Sequence, residues 1–71
     1  MITEQMKQHL VSIDDCKFNL ECCVDLLYNL QRNHGPVVEV VLALKSEKPL
    51  LHQMLKQRLV HNPGLSLVLK L

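Results

Sequence analysis

TEQMKQHLVSIDDCKFNLECCVDLLYNLQRN, residues 3–33, is the stretch whose reading decides the fold. Met6, Leu10, Ile13, Leu20, Val24 and Leu27 recur at steps of four and three, with Lys17 in the one missed place. Cys16, Cys23 and Leu30 widen that stripe, while Glu4, Gln8, Asp15, Asn19, Asp25, Asn29 and Arg32 fall opposite. A 3.6-residue period with one apolar face predicts an amphipathic helix. Thr3 can cap its start. Asn33-His34-Gly35-Pro36 ends it, because Gly suits the left-handed position after a helix and Pro cannot continue the ladder. Ser12-Ile13-Asp14-Asp15 resembles an internal cap, yet the stripe crosses it without a change of phase. The expectation is therefore one helix over about 3–33, roughly 45 Å long.

The remaining segments must cover that helix. Residues 36–45 read as a second helix with Pro36 at its entry and Val37, Val40, Val41 and Leu44 inside. Residues 46–61 read as a third, capped by Ser46, with Leu51, Met54, Leu55 and Leu59 on its apolar face. Asn62-Pro63-Gly64 reads as a stop. The predicted fold is mainly α: the long helix in an antiparallel hairpin or three-helix arrangement with 36–45 and 46–61. The alternative is α+β. The Val-rich run 37–44 and the alternating tail 65–71 could be strands of a C-terminal β-α-β unit.

Seventy-one residues make one small domain, 1–71, with a thin core. The chain is 48% apolar, mostly Leu and Val, with no Trp, one Phe and one Tyr. A net charge of +1 gives no general nucleic-acid footprint. Five carboxylates face three Lys/Arg in residues 1–35, and five Lys/Arg face two carboxylates in residues 36–71. The start has no basic n-region followed by an apolar run, and Val37–Leu44 is too short to span a bilayer.

Cys16, Cys22 and Cys23 are odd in number, and two are adjacent, which does not suggest a disulfide framework. Cys16 and Cys23 are expected to be small buried hydrophobes. Cys22, nearer the polar face, is the candidate reactive thiol. This usage points to a reducing, cytoplasmic setting. His9, His34, His52 and His61 are scattered. No catalytic, cofactor or metal constellation emerges, and no glycine loop or nucleophile elbow is present.

These features predict a non-enzymatic protein-protein interaction module: an adaptor, regulator or chaperone-like chain forming a homodimer or half of a heterodimer. Its expected contact surface is Met6, Leu10, Ile13, Leu20, Val24 and Leu27, with Leu67 and Leu69 as a second contact. Two other readings compete. The basic stripe Lys48, His52, Lys56 on helix 46–61 could serve a DNA-binding regulator. Cys16, Cys22 and Cys23 could form a thiol or metal sensor.

Overall fold

A computed structural model describes residues 3–71, which form five helices: α1 (Glu4–Asp15), α2 (Leu20–Arg32), α3 (Val37–Glu47), α4 (Pro49–Arg58) and α5 (Pro63–Leu69). The mainly helical expectation holds. No strand occurs among the described residues, so the β-α-β alternative is not supported.

The expected helix over 3–33 is two helices. Thr3 does cap the first, its hydroxyl accepting from Met6 N–H at 3.1 Å. After Asp15 the chain turns through Lys17 (φ 53°) and Phe18 (φ 65°), both left-handed. Asn19, expected on a polar helix face, instead caps α2, its Oδ1 accepting from Cys22 N–H at 3.1 Å. The cap-like character of Ser12–Asp15 announces the break only approximately. The true cap lies four residues later. The two stripes are in phase across the corner, so periodicity conceals it.

The next corner uses different residues from those expected. The left-handed position is held by His34 (φ 56°), and Gly35 does not have positive φ. Gly35 is needed for space: a Cβ there would meet Leu30 Cδ2 at 2.9 Å and the Leu30 carbonyl oxygen at 3.2 Å. Its own N–H donates to that carbonyl at 2.7 Å.

Ser46 is not a cap but part of the last turn of α3. The break falls at Lys48 (φ −136°, ψ 64°), because the ring of Pro49 disfavours helical geometry in the residue before it. Pro49 then opens α4, where its missing N–H costs nothing. The segment Asn62-Pro63-Gly64 stops one helix by starting another. Asn62 Oδ1 accepts from Gly64 N–H at 3.1 Å and Leu65 N–H at 2.8 Å, with Pro63 in the first turn. The tail that alternates like a strand is thus helical, with Leu65 and Leu69 one turn apart and buried.

α3 contacts all four other helices. Its inward side is Val40, Val41, Ala43 and Leu44, all buried, while Val38, Glu39, Leu42, Lys45, Ser46 and Glu47 face outward and are exposed. Around it lie Ile13, Cys23, Leu27, Leu55, Leu65 and Leu69, each at most 1% exposed. The radius of gyration is 10.8 Å, and the longest dimension 31 Å.

Candidate interaction surface

The proposed contact stripe divides when the chain folds. Met6, Ile13, Val24, Leu27 and Leu69 are buried in the chain's own core. Leu10 and Leu20 are half-buried against it, and Leu67 is exposed. Splitting the long helix is what allows this. α1 and α2 fold against α3 and α4, so each half of the stripe finds cover within one chain.

A different apolar face stays open. Val38 and Leu42 lie one turn apart on the outside of α3, and Leu42 is 46% exposed. Lys45, three residues on, is exposed and donates from Nζ to the Leu71 carbonyl at 2.9 Å. That bond brings the chain end alongside the face, and Leu71 is itself exposed, as is Leu67 on α5. Exposed Glu39 lies beside Val38. The helical reading of 36–45, with Val37, Val40, Val41 and Leu44 inside, already leaves Val38 and Leu42 on the other side, and the burial agrees with it. The packing adds that no other helix of the chain covers that outer side.

The basic helix carries less free charge than its sequence suggests. Lys48 pairs with Asp14, and Arg58 pairs with Glu21. His52 is buried, so Lys48, His52 and Lys56 do not form one exposed stripe. Burial is the main cause that lowers the His52 pKa, with Lys45 next. The nearby Leu69 backbone acts in the opposite direction, Lys56 adds a smaller lowering, and His52 Nε2 is buried without a hydrogen-bond partner.

A groove of about 280 Å³ opens between α1 and the end of α2. Ile13, Leu26 and Leu30 supply apolar lining, with Gln5, His9, Ser12, Asn29 and Asn33 as the polar groups. Its size is just below the roughly 300–1,000 Å³ typical of small-molecule sites. His9 Nε2 is buried without a partner. Ser12 Oγ donates to the Gln8 carbonyl at 3.1 Å, not to His9. These two side chains therefore do not form a nucleophile–base pair.

Cys16 and Cys22 form a disulfide across the α1–α2 corner. This corrects the expectation that Cys16 is a free buried hydrophobe and Cys22 a free thiol. An intact helical geometry would have kept these residues apart, and the left-handed turn brings them together. Cys23 remains free and fully buried, its thiol pKa raised by that burial, which suits an inert packing residue. Closing so short a loop stabilises the fold by roughly 2 kcal/mol on a chain-entropy basis. Each left-handed non-glycine residue costs about 1–2 kcal/mol. Disulfide and strained turn are thus of similar size, leaving the Asn19 cap and packing to decide the corner. Among the described residues, no cluster of three or more His, Cys, Asp or Glu side chains converges as a metal site would require.

No protein-family model, curated protein or solved structure matches the chain.

Proposed function

We propose that this chain is a non-enzymatic protein-binding module, of the adaptor, regulator or chaperone-like kind, that associates with a second copy of itself through the outer face of α3. The observation that carries the reading is the exposed Val38–Leu42 face, bordered by Glu39 and Lys45. Contiguous apolar surface on a small domain is best covered by a partner. The charge order on the helix favours a second copy. If two α3 helices cross antiparallel at Leu42, residues three before and three after it face each other. Glu39 of one copy then lies opposite Lys45 of the other, twice, as a two-fold axis requires. Exposed Leu71, held alongside by the Lys45 bond, adds apolar surface beside that contact. Five of the eight residues expected to form the interface are inside the monomer, so the binding role moves to this face.

The test is solution mass by light scattering, across a concentration series, on the oxidised chain. A concentration-dependent dimer is expected. Leu42→Asp should abolish it. Glu39→Lys and Lys45→Glu should each weaken it, and the two together should restore it. A wild-type chain that stays monomeric removes the reading. So does a dimer indifferent to Leu42→Asp, or charge reversals whose combination fails to rescue.

A further inference from the structure

The α1–α2 corner holds two incompatible descriptions of one segment. Its sequence carries a helical stripe from Met6 to Leu27 that keeps its phase and is interrupted only at Lys17, with no Gly or Pro between residues 3 and 33. Its structure breaks that helix with two left-handed residues, Lys17 and Phe18, that have no glycine to ease them. Cys16 and Cys22 lie 5.6 Å apart at Cα and are bonded. In a continuous helix, positions six apart would lie about 10 Å apart at Cα, from the rise and radius of the helix. A disulfide reaches no further than about 7 Å. The bond and the continuous helix therefore exclude one another.

We infer that the Cys16–Cys22 disulfide is a redox lock on this corner, and that its reduction lets α1 and α2 fuse into one helix that exchanges α1 with a second copy. The reductant is a dithiol. One of its thiolates attacks a sulfur of the pair and displaces the other cysteine as a thiolate, forming a mixed disulfide. Its second thiol then closes a disulfide within the reductant. Two electrons and two protons pass to Cys16 and Cys22, which leave as free thiols. Cys23, fully buried, takes no part.

The second copy follows from length. A helix over residues 4–32 is about 43 Å long. The longest dimension of the folded chain is 31 Å. The fused helix must project beyond its own core, carrying Met6 and Ile13 away from α3. The α1 of another copy can restore the same contacts, which is a domain swap. Fusion also aligns two exposed side chains, Val11 and Phe18, two turns apart on one face. In the broken form Val11 lies in α1 and Phe18 in the left-handed turn that follows it.

The lock is independent of the α3 face, and the experiment separates them by using the Leu42→Asp chain. Its solution mass and amide hydrogen exchange are compared with and without a dithiol reductant. Reduction should double the mass. It should also slow exchange at Phe18, Leu20 and Glu21, whose N–H groups have no backbone partner at the broken corner and would gain one in a fused helix. Cys16→Ser with Cys22→Ser should give the same dimer without reductant. Adding Lys17→Gly and Phe18→Gly, which relieves the turn and weakens the helix, should return it to monomer. A reduced chain that stays monomeric, or that simply loses its helix signal, overturns the lock. A reduced dimer untouched by the two glycines also overturns it, because association would then arise elsewhere.

Discussion

Asn62 and Tyr28 join the last helix to the second through one side chain with two roles. Asn62 Oδ1 caps α5, and Asn62 Nδ2 donates to the Tyr28 hydroxyl on α2. The two residues are 34 apart in sequence. The cap orients the amide, and the amide then positions α5 against the helix bundle.

Asn62→Ala should therefore cost more than an isolated cap. A lost cap is worth about 1 kcal/mol, and a hydrogen bond about 0.5–1.5 kcal/mol. Tyr28→Phe removes only the second. For a domain of this size, each kcal/mol lowers the melting temperature by roughly 4–8 °C. Thermal melts of the two variants and their double mutant should show Asn62→Ala as the larger effect, with clear coupling. Additive shifts would mean the Tyr28 contact contributes nothing.

Leu55 and Leu50 lie on the same helix with opposite environments, 0% and 69% exposed. Leu55→Ala should destabilise by about 2–5 kcal/mol, because it removes buried methylenes and leaves a cavity. In so small a core that approaches the whole stability of the fold. Leu50→Ala should stay within about 0.5 kcal/mol. Denaturant titration of both variants checks the ranking, and a severe effect at Leu50 would place it inside an interface.

His52 should make the fold sensitive to acid. Burial first, then Lys45, lowers its pKa below the ordinary 6.5. The unfolded chain therefore takes up the proton more readily than the folded one. Stability from this group is fully present above pH 6.5 and falls as the pH drops from there toward the folded-state pKa. Melting temperature measured across that window should decline. His52→Leu should flatten the decline, and an unchanged slope would assign it to another group.

The Asp14–Lys48 and Glu21–Arg58 pairs should matter little on their own. Three of the four side chains are more than half exposed, and such pairs are worth about 0–1 kcal/mol. Asp14→Asn and Glu21→Gln should each shift the denaturant midpoint slightly, and added salt should shrink the difference. Loss of folding in Asp14→Asn would instead mean that this ion pair is what holds the α1–α2 corner against the α3–α4 junction.

What the sequence by itself determined is the helical class and most of the buried positions. The stripe from Met6 to Leu27 reports its phase faithfully, and Met6, Ile13, Val24 and Leu27 are inside as it implies. Thr3 as a cap and Pro36 at a helix entry are equally local, since each depends on hydrogen-bonding capacity within a turn. Tertiary structure alone decided where the long stripe breaks and which chain covers it. Two in-phase stripes look identical whether joined or folded back, and only the contacts made by Ile13 and Leu27 distinguish them. The tail shows the same degeneracy: Leu at every second place suits a strand, but Leu65 and Leu69 suit a helix once Asn62 caps it. The Cys16–Cys22 bond also belongs to the fold, because a continuous helix would hold those sulfurs out of reach. The open face at Leu42 is shared between the two: the helical period puts Val37, Val40, Val41 and Leu44 on one side, and the arrangement of neighbours decides that the other side, Val38 and Leu42, is left without cover.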